Sequence, residues 1–245
     1  MTDRARLDLA LVARGLVPSR AKARDAILRG CVMVGGRVAT TPSTPVAGDA
    51  EIALDDPAGR YVSRAALKLV AGLDAFGYSP AGRVALDIGA STGGFTEVLL
   101  ERGAARVHAI DVGHGQLHPR IGSDPRVVVR EGLNARDLAP SDIGEPLDAV
   151  VADVSFISLR LVLPAALALT RPGAWGVFLV KPQFEVGRAH VGKGGIVHDA
   201  ALARQAADDT AAWLAHAHGW TVDAIVDSPV PGGDGNREFV LGAHR

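Results

Sequence analysis

The sequence predicts an α/β protein in which a seven-stranded, mostly parallel sheet is preceded by a small α+β head. Three observations lead there. From residue 84 onward, apolar runs of strand length alternate with segments of helical periodicity. Two strand-like runs near the end, 222–226 and 238–241, follow one another with no helix between them, which makes the last strand antiparallel. Ahead of residue 55 the pattern differs, with two helical stretches followed by short strands around glycine turns.

In the head, Leu7, Leu9, Leu11, Val12 and Leu16 recur on a helical face that begins at Arg6. A second helix follows Pro18-Ser19, runs through Ala21, Ala26, Ile27 and Leu28, and is stopped by Gly30. Residues 31–34 and 37–38 flank Gly35-Gly36 and read as a hairpin; a Thr/Pro-rich loop and a strand over 51–54 complete the unit. Charge is concentrated here. Residues 1–40 hold eight basic side chains (Arg4, Arg6, Arg14, Arg20, Lys22, Arg24, Arg29, Arg37) against three acids, +5, so that with a net charge of −1 the remainder carries −6. A basic head on an acidic body suggests a polyanion as the partner of the head.

The run Asp55-Asp56-Pro57-Ala58-Gly59 reads as a break, giving expected domains over 1–58 and 64–245 with a linker over 59–63. An amphipathic helix is expected over 61–76 (Val62, Ala65, Leu69, Leu73, Phe76). Beyond it the expected strands are 84–88, 107–111, 127–130, 148–153 and 174–181, with helices near 94–102, 159–168 and 198–216. The apolar fraction of 48% can supply a core. The apolar runs 161–169 and 174–180 are too short to span a bilayer, which argues against a membrane protein. A single cysteine, Cys31, and a start without an apolar leader point to the cytoplasm. His108, His114 and His118 show no metal-ligand spacing, so no metal is expected.

Residues 84–95 form an apolar strand that ends in an acid, then a glycine turn, then a helix start, a unit that brings backbone close to a ligand. Nicotinamide and flavin cofactors use the same unit, but no Gly-x-Gly-x-x-Gly spacing is present to seat a pyrophosphate. Asp87-x-Gly89-x-Ser91-x-Gly93-Gly94-Phe95 instead resembles the first motif of S-adenosylmethionine methyltransferases, which implies Asp87 near the cationic methionine end. Asp111 closes the second strand, where a carboxylate can accept both ribose hydroxyls of such a cofactor. Asn134 and residues 153–156 are further candidates for the adenine side.

Methyl transfer to a ribose hydroxyl is an in-line displacement in which a weak nucleophile loses a proton as the methyl arrives, so a positioned base is needed. A lysine acts as a base only in its neutral form, which a neighbouring cation favours. Lysines with organising acids at strand ends are therefore the pattern to seek, and four residues fit: Lys68, Asp153, Lys181 and Glu238.

Two family resemblances follow. Leu7-Asp8-x-x-Leu11-x-x-x-Gly15-Leu16, Ser19-Arg20-x-x-Ala23, Ile27, Gly30 and Val32-x-Val34-x-Gly36-x-Val38 resemble the S-four-like RNA-binding domain. That likeness implies RNA contacts by Arg20, Lys22, Arg24 and Arg29, with Arg4 and Arg6 beside them. These four residues, Lys68 on the helix entering the domain and the others at strand ends, match the Lys-Asp-Lys-Glu tetrad of the FtsJ group, which methylates RNA 2′-hydroxyls, and the whole chain resembles the TlyA family, often named hemolysins. Its segments here are 62–69, 87–95, 153–159, 181–187 and 192–195. The resemblance implies Lys181 as base, Lys68 as its electrostatic partner, Asp153 and Glu238 as the acids holding them, S-adenosylmethionine as cofactor, and a cytidine of ribosomal RNA or a ribosomal subunit as substrate. Where the family has Arg-x-Trp-Val at the linker, this chain has Gly59-Arg60-Tyr61-Val62. A membrane-active hemolysin and a small-molecule methyltransferase are the competing readings.

Overall fold

The computed structural model describes residues 4–245, and the chain divides between Tyr61 and Val62 into two compact units. The N-terminal unit contains β1 (Arg4–Arg6), α1 (Leu7–Ala13), α2 (Arg20–Leu28), β2 (Val32–Val34), β3 (Arg37–Ala39), β4 (Pro45–Ala47) and β5 (Ile52–Leu54). Strands β3, β2 and β5 form an antiparallel sheet, and β1 pairs with β4. Leu7, Leu11, Ala23, Ile27, Val32 and Val46 close its core. The Ser19 hydroxyl caps α2 by accepting from the Lys22 amide at 3.3 Å. Gly35 and Gly36 both take positive φ, as the tight turn between β2 and β3 requires.

Two details depart from the pattern. The expected first helix is present, beginning at Leu7 with Arg6 as its N-cap, but it is preceded by a strand the pattern does not announce, because Arg4–Arg6 pair with Pro45–Ala47 inside the Thr/Pro-rich stretch. Pairing across some forty residues leaves no local trace in either segment. Leu9 and Leu16, assigned to the apolar helix face, are exposed.

The second unit contains α3 (Ala66–Phe76), β6 (Val84–Ile88), α4 (Gly94–Glu101), β7 (Arg106–Asp111), α5 (Pro119–Gly122), β8 (Val127–Glu131) and α6 (Pro140–Ile143). It continues with β9 (Leu147–Ala152), α7 (Leu159–Ala168), β10 (Thr170–Val180), α8 (Pro182–Glu185), α9 (Ala200–His218), β11 (Thr221–Asp227) and β12 (Phe239–His244). The sheet order is β11-β12-β10-β9-β6-β7-β8, with β12 antiparallel to both neighbours and the pairs among β10, β9, β6, β7 and β8 parallel. This is the α/β, seven-stranded architecture that the alternation implies. The order reverses between β6 and β9, and in doubly wound sheets ligands sit in the crevice beyond the carboxyl ends at such a point.

The expected helix over 61–76 starts only at Ala66, after hydrogen-bonded turns through Ser63, Arg64 and Ala65. Gly72 lets α3 lie flush on the sheet, since a Cβ there would stand 2.8 Å from Val177 and 2.9 Å from Val240. Asp153 and Glu238, expected as strand residues, lie one position outside β9 and β12. Their side chains are thus released from the pleat at the strand ends.

Candidate active site

β6 delivers Asp87 into the interior, where it is completely buried. Its Oδ2 accepts from the Thr96 hydroxyl at 2.6 Å, whereas Oδ1 is buried without a partner. Burial pushes the carboxyl up to about 7; the Thr96 hydroxyl opposes this, and the charges of Asp153 and Asp111 add to it. An unpartnered buried carboxyl oxygen is costly and is a feature that calls for a partner.

The turn after β6 needs its glycines. Gly89 has φ +81, and a Cβ there would stand 2.7 Å from the Asp153 carbonyl oxygen. Gly94, at the start of α4, packs under Ser63, whose Cβ would lie 2.9 Å from an added Cβ. Gly93 takes φ +97, and Phe95 is buried in α4. Ser91, at φ +47, donates its amide to Asp111 Oδ2 at 2.8 Å, and the Gly113 amide donates to Asp111 Oδ1 at 2.8 Å. Two backbone donors therefore fix the Asp111 carboxylate while its remaining lone pairs stay available.

Gly89, Ser91, Gly94 and Asp111 help to line two hollows. A cleft of about 460 Å³ is bordered by Gly89, Ser91, Asp111, Val112, Asn134 and Phe156, among others. A smaller hollow of about 170 Å³ is bordered by Ser63, Gly89, Gly94, Asp153, Ser155 and Lys181. They share Gly89, Ser91, Asp153 and Ser155, so one elongated ligand could occupy both. Asn134 uses its side-chain oxygen on the Arg136 amide at 3.1 Å, capping a 3₁₀ turn at the edge of the cleft.

The four candidates, Lys68 on α3 and the other three at strand ends, form two ion pairs, Lys68–Glu238 buried and Lys181–Asp153 largely so. Lys68 Nζ lies 2.5 Å from Glu238 Oε2, and Lys181 Nζ lies 2.6 Å from Asp153 Oδ1. The aligned hydrogen bond of the Lys181 ammonium goes to the Ser155 hydroxyl at 2.9 Å. Nearby, Glu185 accepts from the Ser158 hydroxyl at 2.5 Å and the Leu159 amide at 2.8 Å. It braces the start of α7 against the segment that carries Lys181.

Ser155 and Phe156, which the sequence offers only as part of the 153–156 stretch, take individual places at the site. Ser155 carries no signal of its own beyond its place in the segment after β9. Phe156 is 91% exposed, takes φ +66 and rests against Phe184 with ring centroids 5.3 Å apart. A bulky aromatic at positive φ is strained, and strain of this kind gathers at ligand sites. Its ring stands open to solvent at the rim of the larger cleft.

In the N-terminal unit the basic candidates divide. Buried Asp8 holds Arg6 at 3.0 Å and Arg20 at 2.9 Å, and these hydrogen bonds keep its carboxyl well below the usual range. Arg4 and Arg24 are exposed. Lys22 donates to the Tyr61 carbonyl at 2.9 Å. Arg29 is largely buried, bound to Asp56 at 2.7 Å and to Asp25 at 2.9 Å, and serves to tie α2 to the segment after β5.

Comparison with known proteins agrees with this arrangement. Residues 61–245 match the family described as FtsJ-like methyltransferase, and residues 5–52 match the S4 domain. The chain is 50% identical over 242 residues to the 16S/23S rRNA (cytidine-2′-O)-methyltransferase TlyA of Mycobacterium tuberculosis, covering 98% of this chain and 90% of that protein. It is 38% identical over 236 residues to Hemolysin A of Brachyspira hyodysenteriae, covering 96% and 98%. A solved structure from Streptococcus thermophilus, also described as a hemolysin, superposes with a TM-score of 0.77 at 36% identity, over 100% of this chain and 90% of that one. No helix among the described residues is long and apolar enough to cross a membrane. With a glycine-lined cleft at the switch point, two lysine–carboxylate pairs beside it and a match over most of its length, the chain belongs to the FtsJ-like methyltransferase family.

Proposed function

We propose that this protein transfers a methyl group from S-adenosylmethionine to the ribose 2′-hydroxyl of a cytidine in ribosomal RNA. The observation that carries the reading is the Lys181–Asp153 pair set in the wall of the glycine-lined hollow, with a second pair, Lys68–Glu238, joining α3 to the residue that precedes β12. The named activity of the TlyA relative supports the choice of ribosomal RNA and cytidine.

The residues present fit the cofactor. The unpartnered Asp87 oxygen suits its ammonium, Gly89 admits it without a side chain in the way, and Asp111 faces the larger cleft with acceptors for ribose hydroxyls. When bound, it supplies an electrophilic methyl and a thioether leaving group. Lys181 is the group placed to take the proton from the 2′-hydroxyl, and Asp153 with Ser155 fixes the Nζ position so that the base sits where the hydroxyl must arrive. The buried Lys68–Glu238 pair fixes a second charge centre between α3 and the start of β12. The S4-type unit supplies binding to RNA through Arg4, Arg6, Arg20 and Arg24. In this division of labour, residues up to about 61 bind and residues 62–245 perform the transfer.

The test is transfer of labelled methyl to unmodified ribosomal RNA, followed by alkaline digestion. Methylation of the 2′-hydroxyl removes the nucleophile that cleaves the strand, so the labelled linkage resists alkali. Label released in a base-modified, alkali-sensitive nucleotide would exclude ribose methylation.

A further inference from the structure

We propose that the glycine-rich loop between α8 and α9, residues 187–198, is a clamp for the RNA strand: Arg188 and Lys193 hold backbone phosphates next to the nucleotide being methylated, and buried Asn236 holds the loop. The proposal rests on the reading that RNA is the substrate.

The first argument is charge. From Val186 to His198 the chain carries Arg188, His190, Lys193 and His198 and no acid, within a unit whose 17 basic residues are outnumbered by 20 acidic ones. Many cations of this unit are engaged with carboxylates, as Arg102, Arg106, Arg120, Arg126, Arg204 and Arg237 are. Arg188 and Lys193 are exposed and have no side-chain partner among the described residues. A cation left unpaired in an acidic domain is available to an external anion.

The second argument is the brace. Surface loops are ordinarily held by solvent-facing contacts, yet here a side chain only 1% exposed spans two loops. Asn236 Oδ1 accepts from the Val197 amide at 3.0 Å, and Nδ2 donates to the Gly195 carbonyl at 2.8 Å. Its own carbonyl accepts from the Gly232 amide at 2.9 Å. The buried amide is thus satisfied by holding the loop in one place. That fixes the clamp before RNA arrives and reduces the ordering cost of binding.

The third argument is position. The loop leaves α8, whose first residue follows Lys181 directly. Through Asn236 it is tied to the turn that precedes Glu238, and this turn runs so close that a Cβ on Gly232 would stand 2.6 Å from Glu238 Oε1. One end of the loop therefore lies a single short helix beyond Lys181, and the other is tied two residues before Glu238. At its tip, Gly194 and Gly195 both take φ +79 with open space around them. The turn is closed by Gly195 N to Gly192 O at 3.1 Å, and the amides of Lys193 and Gly194 have no acceptor among the described residues. An ammonium beside two free amides on a backbone without bulk suits a phosphodiester oxygen and reads no base.

The experiment measures binding of in vitro transcribed ribosomal RNA across a salt series, with S-adenosylhomocysteine present so that no turnover occurs. Arg188→Ala with Lys193→Ala should weaken RNA binding about tenfold and lower the salt slope by roughly 1.4–1.8, the value for two lost phosphate contacts. KM for RNA should rise with kcat little changed, and calorimetric affinity for the cofactor should not move. Asn236→Ala should weaken RNA binding similarly, but add nothing in the Arg188→Ala, Lys193→Ala background, whereas a merely structural role would add. An unchanged affinity and salt slope in the double variant overturns the clamp. Absence of methyl transfer by the wild-type protein overturns the activity reading instead, and the binding measurements still decide the clamp.

Discussion

Lys181 and Asp87 divide the chemistry at the scale of single residues. Lys181→Ala removes the proton acceptor while leaving the glycine turn and Asp111 intact. Single-turnover transfer should fall by roughly 10²–10⁴, with cofactor affinity nearly unchanged by calorimetry. Near-normal transfer would assign the base elsewhere. Asp87 leads to a pH-dependent expectation of definite sign. Its carboxyl sits near 7 in the fold against an ordinary value of 3.8, so between those values the folded protein holds a proton that the unfolded chain has lost. Stability therefore falls as pH rises through this window, by at most about 4 kcal/mol, and the penalty is complete above 7. Asp87→Asn keeps an acceptor for Thr96 and removes the penalty. The cofactor-free variant should melt higher than wild type at pH 8, match it near pH 4, and bind cofactor more weakly at pH 8. In the wild type, cofactor affinity should decline as pH falls below 7, because the anionic form is the one that meets a cation. An equal melting temperature at pH 8 would show that Asp87 ionises freely.

Elements place these groups, and α3 shows how little slack is available. Lys68 occupies its first turn and Gly72 the next, where the helix backbone rests on Val177 of β10 and Val240 of β12. Gly72→Ala gains about 1 kcal/mol of helix propensity but forces a methyl into that contact, an overpacking cost of about 1–3 kcal/mol. The expected outcome is a lower melting temperature together with a slower transfer rate, since moving α3 off the sheet displaces Lys68 from Glu238. A variant as stable and active as wild type would mean that the contact relaxes freely. The need for glycine at 72 is not legible in the sequence, because Val177 and Val240 are brought there only by the sheet. The strands themselves were legible: a fully buried parallel strand such as β6 must read as a continuous apolar run, and Asp87 stands out within one. Pairings between distant segments were not, which is why β1 and β4 were missed and why Lys68 and Lys181 could be named as candidates without knowing which acid each would take. For Ser155 and Phe156 the sequence offers the 153–156 stretch but not their particular contacts, for the same reason. A serine acquires meaning only when a lysine from another strand reaches it, and an exposed phenylalanine only when a cleft opens beside it.

At the scale of the whole molecule, the question is why a transfer unit with a net acidic sequence should be joined to a head that carries +5 in its first forty residues. A stacked cytidine must be turned outward before its 2′-hydroxyl can reach Lys181, at a cost of roughly a few kcal/mol in unstacking. Phosphate contacts made by the head on remote RNA can offset this cost, provided the RNA is large and folded enough to present them; recognition that is poor in base contacts must take its specificity from RNA shape. Arg20 and Arg24 are the informative pair for a test. Both are exposed, and Arg20 is held ready by Asp8, whereas Lys22 is engaged with the Tyr61 carbonyl and Arg29 with Asp25 and Asp56. Arg20→Ala with Arg24→Ala should lower kcat/KM on intact ribosomal subunits by about tenfold and flatten its salt dependence. On a short hairpin containing the mapped cytidine, wild type and variant should be equally poor, because the hairpin offers the head nothing to hold. Cofactor affinity should be the same in both proteins. Wild-type activity on the hairpin equal to that on subunits would remove the head from the energetics of recognition and leave the transfer unit to find its nucleotide alone.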